Sequence, residues 1–205
     1  MLTPVVQWLL LINGALFLGE QFYFGHLVYW LALWPQGLLG DGLNAGGPQF
    51  WPWQLLTYGF LHAGVLHIVL NMYALWLFGS RLEYLWGGRR FAAYYLACVV
   101  GAALVQLLVS EINLAQGGVA YPVLGASGGV FGVLLAFGLT FPETRLMLLF
   151  PPIPIKAKWF VLIYGVIELV AGVTGTLEGI AHFAHLGGMF TGLILLYRWR
   201  LGPWG

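Results

Sequence analysis

Two side chains of this sequence could together carry out nucleophilic chemistry. Ser127 stands in a Gly-Ala-Ser-Gly-Gly run at 125–129, and His185 stands near the C-terminal end. A serine hydroxyl is a weak nucleophile until a base accepts its proton, and histidine is the side chain that most often does so. Glycines at a helix start allow close backbone approach, and free N–H groups there can face an oxyanion. We therefore take Ser127 as candidate nucleophile and His185 as candidate base.

The polar side chains in the apolar runs share a predicted depth. Counted up from the proline or arginine that ends each run, Ser127, His67 and His185 all lie about 20 to 22 Å up their helices. Asn71 lies one turn below His67 on the same helix face. In a hydrocarbon core of ~30 Å these groups converge on one level in the outer half. His67 and Asn71 could then donate to an oxyanion alongside the Ser127 amide.

The sequence offers His185 no neighbouring carboxylate. Because no Asp or Glu stands near it along the chain, a Ser–His dyad is favoured over a triad. Phe131 is one turn below Ser127 and could pack against the imidazole and hold it instead. Glu168 is isolated in its apolar run, where it could pair with a polar group of another helix.

A metal site is the alternative use of the histidines. His182 and His185 would share a helix face, but no His-Glu-x-x-His motif occurs and no carboxylate completes the set. The single cysteine, Cys98, excludes a cysteine cluster. We therefore expect no metal and no other cofactor.

The same residues also have plainer interpretations. Small residues in membrane spans are usually packing devices, so the run at 125–128 alone more often marks a helix contact. An interior histidine is more often hydrogen-bonded than catalytic.

The elements that carry these residues are membrane spans. The chain has 205 residues, of which 60% are hydrophobic and 7% charged, and its mean hydropathy is +0.87. Soluble domains carry roughly 25% charged residues, and a chain with only 7% cannot cover a water-facing surface with charge. No basic stripe is present to hold nucleic acid. The partner that composition predicts is a lipid bilayer.

Six apolar runs have spanning length, which predicts an all-α integral membrane protein built as one domain over 1–205. The runs lie at about 4–24, 61–80, 91–110, 126–141, 159–176 and 180–197. The connection at about 25–60 is aromatic and carries one charge, Asp41, so we expect it to be embedded in the membrane interface.

Basic residues give the orientation. All eight Lys and Arg fall after the second, fourth and sixth runs, so both termini are expected in the cytoplasm. An odd number of spans would scatter them. The site would then open to the outer side.

The fourth run is short. It offers about 16 helical residues, or roughly 24 Å, which is less than the core thickness. Its start at Ser127 should lie below the outer surface, with 117–125 dipping in as a loop beside a polar cavity. Glycines would let spans four and six pack backbone to backbone: Gly128, Gly132, Gly187, Gly188 and Gly192.

Four motifs together resemble the signature of the rhomboid family of intramembrane serine proteases in order and spacing. They are His-Ile-Val-Leu-Asn at 67–71, Gly-x-x-x-Glu at 79–83, Gly-Ala-Ser-Gly at 125–128 and Ala-His-Leu-Gly-Gly at 184–188. The resemblance runs from Trp53 to the end of span six. It is closest to the compact six-span prokaryotic type, which suggests a plasma membrane location.

This resemblance implies roles for individual residues. Ser127 would be the nucleophile and His185 the general base, with an oxyanion hole of His67, Asn71 and the Ser127 amide. The supporting residues would be Phe131, Gly125, Gly128 and Gly188. Glu83 resembles a structural residue at the cytoplasmic end of span two, and span five resembles the family's lateral gate.

The resemblance also implies a substrate class. Rhomboids cut other membrane proteins within or beside a transmembrane helix, without ATP or metal. Two departures stand out: Gln54 where many relatives have Arg, and Phe131 where Tyr is frequent. One alternative is a non-proteolytic rhomboid-like protein that binds membrane clients. The other is a small transporter, but the sequence shows no inverted repeat of the kind that many transporters have.

Overall fold

Helices lie at all six positions that hydropathy predicts. The computed structural model describes residues 2–35, 48–119, 121–147, 152–176 and 181–201. The long helices are α1 (Pro4–Leu31), α2 (Val65–Trp86), α3 (Gly88–Ala115), α4 (Ser127–Thr140), α5 (Ala157–Thr174) and α6 (His182–Arg198). A short helix (Gln54–Thr57) and a 3-10 turn (Tyr58–Phe60) precede α2. An antiparallel hairpin of β1 (Arg145–Met147) and β2 (Pro154–Lys156) joins α4 to α5.

Length and hydropathy make this a helical membrane protein. Among the described residues, α1, α2, α3 and α5 are long and apolar enough to cross a membrane, and α4 is a shorter apolar helix. Large apolar side chains on their outer faces are exposed, such as Leu66 and Leu70 on α2 and Val166 on α5. Such surface requires lipid contact. That all six helices cross remains a prediction.

The first helix is longer than its hydropathy indicates. α1 continues to Leu31 through a kink at Tyr23 (φ −131°, ψ 28°), whereas the predicted apolar run ends at residue 24. Hydropathy marks only the apolar stretch, while helical hydrogen bonding can continue until a proline such as Pro35 approaches. The first connection therefore begins at 32 and not at 25.

Gln54 holds the described part of this connection together. Its buried Oε1 accepts hydrogen bonds from the backbone N–H groups of Trp34 and Trp51, both at 3.2 Å. Its Nε2 donates to Gln49 O at 3.2 Å. Trp53 Nε1 also donates to the Trp30 carbonyl at 2.9 Å, which ties the connection to α1. An uncharged amide thus serves as an anchor here; Asp41 lies outside the described residues.

Glu83 of α2 caps the start of α1. Its carboxylate accepts from the backbone N–H groups of Val5 and Val6, each at 2.9 Å, and from Thr3 Oγ1 at 2.5 Å. The first turn of a helix leaves N–H groups without intrahelical partners and favours negative charge. Glu83 therefore fixes α1 to α2, a structural role like the one the resemblance implies.

The centre of the fold is α4. Its 14 residues span about 21 Å, and it lies against α2, α3, α5 and α6. Tyr94 of α3 donates its hydroxyl hydrogen to Gly132 O at 2.8 Å across one of these contacts. The prediction for the glycines is correct only in part, because Gly187 and Gly192 face Val105 and Tyr94 of α3 and not α4.

Candidate active site

Ser127 and His185 meet where two helices begin. Ser127 is the first residue of α4, and His185 lies in the first turn of α6. His185 Nε2 is 2.8 Å from Ser127 Oγ, a hydrogen-bonding distance between side chains 58 residues apart. The base and the nucleophile proposed from sequence are thus in contact.

A close backbone approach of α4 and α6 makes that contact possible. A Cβ added to Gly188 would lie 1.9 Å from Gly128 O, and one added to Gly132 would lie 3.1 Å from Gly188 O. No side chain fits between the helices at these points. The backbones therefore touch at Gly128, directly after Ser127, and at Gly188, one turn after His185.

Phe131 packs against one face of the His185 imidazole. Its ring stacks on that of His185, with centroids 4.2 Å apart and planes 6° apart. Stacking restricts rotation of the imidazole, because the ring must leave a favourable contact in order to turn. Phenylalanine provides this surface without the hydroxyl of a tyrosine.

The segment entering α4 is held by the first connection. Leu33 and Val123 exchange two backbone hydrogen bonds, at 2.9 and 3.0 Å, and Gly125 N donates to Tyr58 O at 2.9 Å. Gly125 has φ +138°, a conformation that L side chains rarely adopt. These contacts determine the direction from which Ser127 enters its helix.

His67 lies beside Gly125 and the serine hydroxyl. A Cβ added to Gly125 would lie 2.8 Å from His67 Nε2 and 3.5 Å from Ser127 Oγ. The Ala63 N–H donates to His67 Nδ1 at 3.4 Å, which places the proton of the neutral ring on Nε2. His67 therefore presents a donor on the serine side.

Asn71 is one turn further along α2. Its Nδ2 donates to the His67 carbonyl at 2.9 Å, which uses one of its two hydrogens. The side chain is buried. The structure brings Asn71 to His67, while donation from Asn71 to an oxyanion remains a prediction.

Glu168 is the residue that sequence reasoning left unassigned. Its Oε2 lies 2.6 Å from His182 Nδ1 in a hydrogen bond, and 2.9 Å from His185 Nδ1 at an angle outside the usual hydrogen-bond range. The lack of a carboxylate near His185 along the chain, from which a dyad was favoured, therefore does not mean that none is near it in space. Proximity along the chain was the wrong criterion, because α5 and α6 are neighbours in space.

A signal for Glu168 was available in the sequence. It stands seven residues before Gly175, and His185 stands six residues after Gly179, at either end of one connection. At ~1.5 Å per helical residue, Glu168 lies about 10 Å from Gly175, and His185 lies about 9 Å from Gly179. The depth comparison used for the serine and histidines would have matched them.

Metal binding needs a different arrangement from the one observed. Glu168, His182 and His185 present ligand atoms within 4.8 Å of one another, so a carboxylate does complete the set, contrary to expectation. Ligand atoms about 2.0–2.2 Å from a tetrahedral zinc would be roughly 3.3 Å apart. Both observed contacts, 2.6 Å and 2.9 Å, are shorter than that spacing, and the 2.6 Å contact is a hydrogen bond.

Glu20 of α1 is a second buried carboxylate that was missed. Both of its oxygens lie 3.1 Å from the backbone nitrogen of His62, which donates to them. The His62 ring lies 5.0 Å from that of His67, centroid to centroid. Glu20 thereby fixes the turn that leads into α2 and its polar face.

Comparison with known proteins identifies relatives over most of the chain. The family model for the rhomboid domain matches residues 49–201. Rhomboid protein 1, mitochondrial, of Saccharomyces cerevisiae is 34% identical over 147 residues, which are 72% of this chain and 41% of the yeast protein. RHOMBOID-like protein 4 of Arabidopsis thaliana is 33% identical over 154 residues, 74% of this chain and 35% of the plant protein.

A fish relative shows similar coverage. Presenilin-associated rhomboid-like protein A, mitochondrial, of Danio rerio is 33% identical over 148 residues, 72% of this chain and 36% of that protein. This chain thus covers about two fifths or less of the length of these relatives.

Proposed function

This chain belongs to the rhomboid family, and we propose that it is an intramembrane serine endopeptidase that cleaves transmembrane segments of other membrane proteins. The observation that carries the proposal is the 2.8 Å contact between His185 Nε2 and Ser127 Oγ. A serine in such contact with an imidazole is activated for attack. Packing of α4 against α6 would not by itself require a serine and a histidine at this contact.

The proposed reaction has two stages, acylation of Ser127 and hydrolysis of the resulting ester. Ser127 Oγ forms a bond to the scissile carbonyl carbon while its proton passes to His185 Nε2. When the tetrahedral intermediate collapses, the C–N bond breaks and His185 returns the proton to the leaving amine. Water then attacks the ester, with His185 taking a water proton and giving it to Ser127 Oγ. The chemistry needs no cofactor.

The oxyanion faces the donors on α2 and at the start of α4. His67 Nε2 is beside Gly125, and the Ser127 N–H belongs to the first turn of α4, where amides lack helical partners. Asn71 would donate its second Nδ2 hydrogen. Donors fixed before the reaction stabilise charge that develops in the transition state.

The substrate class follows from the location of the site. Backbone at membrane depth is normally closed in helical hydrogen bonds, so a substrate helix must unwind before its carbonyl can reach Ser127. The partners are therefore transmembrane proteins with locally unstable helices. We propose six crossings with both termini in the cytoplasm on the basis of charge. Two relatives are named as mitochondrial, so they lend the expected plasma membrane no support.

The test is cleavage in liposomes. Purified protein is reconstituted with a generic transmembrane substrate, and wild type is compared with Ser127→Ala and His185→Ala. We expect cleavage by wild type alone, and labelling of wild type alone by a serine-directed fluorophosphonate. Equal cleavage by all three proteins would refute the site. Substrate binding without cleavage or labelling would favour a client-binding protein.

A further inference from the structure

Glu168 is a buried carboxylate held between two imidazoles. It lies on α5 and is 7% exposed. Its Oε2 lies 2.6 Å from His182 Nδ1 and 2.9 Å from His185 Nδ1. A buried charge is costly unless it is paired, so both contacts bear on why a glutamate is stable here. The proposed cleavage cycle above assigns it no role.

The position of Glu168 bears on which ring nitrogen of His185 carries the proton. To accept from Ser127 through Nε2, a neutral His185 must carry its proton on Nδ1. An ionised carboxylate accepts hydrogens and cannot donate them. Oε2 at 2.9 Å from Nδ1 therefore favours the tautomer that leaves Nε2 open to the Ser127 hydroxyl.

We propose that Glu168 is a positioning residue for His185, so that the site works as a Ser127–His185–Glu168 triad assembled from α4, α6 and α5. The inference rests on the proposed function and deepens it. Glu168 selects the Nδ1–H tautomer in the resting enzyme and faces the positive charge that His185 gains on taking the serine proton. It does not touch the substrate.

The off-angle contact to His185 fits a resting enzyme. Catalytic hydrogen bonds are often long or poorly aligned before the substrate binds. Charge on the imidazolium then strengthens the attraction to the carboxylate, because charge-assisted hydrogen bonds are shorter and stronger than neutral ones. The contact should therefore matter more for the rate of the chemical step than for substrate binding.

His182 keeps Glu168 in place. Its Nδ1–H donates to Oε2 at 2.6 Å from the first residue of α6. This second contact makes a competing explanation available, in which Glu168 and His182 are only a buried link between α5 and α6. That explanation predicts changes in stability without a selective change in turnover.

The experiment compares variants at both positions in the full chain, reconstituted in liposomes. Glu168→Gln retains size and removes charge, Glu168→Asp retains charge at shorter reach, and His182→Gln retains a donor toward Glu168. We measure kcat and KM for a transmembrane substrate, the rate of fluorophosphonate labelling and Tm.

We expect Glu168→Gln to lower kcat about 100-fold with a KM change below about 3-fold, and to slow labelling in parallel. The corresponding amide substitution in a serine protease triad lowers kcat by about 10⁴, and a smaller effect fits the less aligned contact here. Glu168→Asp should recover part of the loss. His182→Gln should lose less than about 10-fold, since Glu168 and its charge remain.

Each outcome decides between the explanations. If Glu168→Gln turns over within about 2-fold of wild type while its Tm falls, Glu168 is structural and the triad is refuted. If wild type neither cuts nor labels, the proposed function fails and the triad with it. Should Glu168→Gln fail to fold, nitrogen-15 NMR of His185 in wild type decides: a hydrogen-bonded Nδ1–H supports the triad, and a proton on Nε2 overturns it.

Discussion

At the scale of single residues, Gly125 meets two constraints that a side chain would violate. Its φ is +138°, and an added Cβ would lie 2.8 Å from the ring of His67. We expect Gly125→Ala to lower kcat at least ~10-fold, because either the backbone or His67, the proposed oxyanion donor, must move, and a small misplacement can cost ~100-fold. Turnover of a reconstituted transmembrane substrate measures this.

Gly117→Ala is the matched control for Gly125→Ala. Gly117 also has positive φ, +83°, but no atom lies within 4 Å of an added Cβ. It should share the backbone strain of about 1–2 kcal/mol and retain its activity. Equal losses of activity in both variants would show that strain, and not the His67 contact, is responsible.

Depth along a helix predicted some of the site and missed the rest. The depth comparison puts Ser127 and His185 at one level and Phe131 one turn below Ser127, and the structure brings the three together. The expectation that Glu168 could pair with a polar group of another helix is confirmed by its contact with His182. Its approach to His185 and the contact of Glu20 with His62 were not found, because each carboxylate meets its histidine from a different helix. A comparison of depths can match such residues, but only packing determines which side chains meet.

At the scale of helices, the contact of α4 with α6 controls the distance from Ser127 to His185. A Cβ on Gly188 would lie 1.9 Å from the Gly128 carbonyl oxygen, and a backbone atom cannot move aside alone. We expect Gly188→Ala to separate the helices, destabilise the protein by about 1–3 kcal/mol and abolish fluorophosphonate labelling of Ser127.

Gly14→Ala tests whether that loss is specific. Gly14 lies in α1, where nothing is within 4 Å of an added Cβ. Alanine there should leave labelling unchanged, since it adds a methyl group to an open helix surface. Normal labelling of Gly188→Ala would mean that the helix contact does not set the serine–histidine distance.

The cap that Glu83 provides couples α1 to α2. Glu83→Gln leaves one oxygen and places an NH₂ group against backbone donors, so some of the three hydrogen bonds it accepts are lost. We expect the variant to be less stable by about 1–3 kcal/mol, with a lower Tm in detergent. Its kcat well below Tm should stay near that of wild type, because the site is at the other end of α2.

Glu143→Gln serves as the exposed counterpart of Glu83→Gln. Glu143 pairs with Lys156 at 2.6 Å and with Lys158 at the start of α5, and side-chain hydrogen bonds from Lys156 and then Lys158 lower its pKa to about 2. It thus stays ionised from neutral pH down to about pH 3, yet exposed pairs contribute little to stability. A Tm loss equal to that of Glu83→Gln would contradict the capping role.

Hydropathy predicted the positions of helices better than their ends. The runs fall on all six helices because burial in lipid demands apolar stretches. The kink at Tyr23 and the π-helical turn at Leu75–Gly79 depend on local backbone hydrogen bonding, which the pattern of apolar residues does not encode. The hairpin before α5 also depends on backbone pairing, and the pattern of apolar residues therefore did not predict it.

At the scale of the whole molecule, the short α4 decides the number of crossings. It spans about 21 Å against a core of ~30 Å, so it crosses only if the segment before Ser127 dips into the membrane. The backbone bonds of Val123 to Leu33 and of Gly125 to Tyr58 hold that segment against the first connection. Satisfied backbone of this kind is tolerated at membrane depth.

Sidedness of introduced thiols tests this arrangement. If α4 crosses, Arg90→Cys and Arg145→Cys lie on one face of the membrane, and Gln116→Cys and Thr176→Cys lie on the other. All four positions are exposed, whereas the native Cys98 is buried and should not react. We expect an impermeant maleimide added outside sealed cells to label positions 116 and 176 only, since the positive-inside rule predicts that the basic loops face the cytoplasm.

The pattern of labelling separates two kinds of error. Labelling of positions 90 and 145 only would keep six crossings and reverse the orientation, which would place the serine in the inner half of the membrane. Labelling of positions 116 and 145 on one face would show that α4 does not cross. In that case, the charge of Arg145 and the lysines after it would be on the opposite side from Arg90, and the common depth of Ser127 and His185 would need another origin.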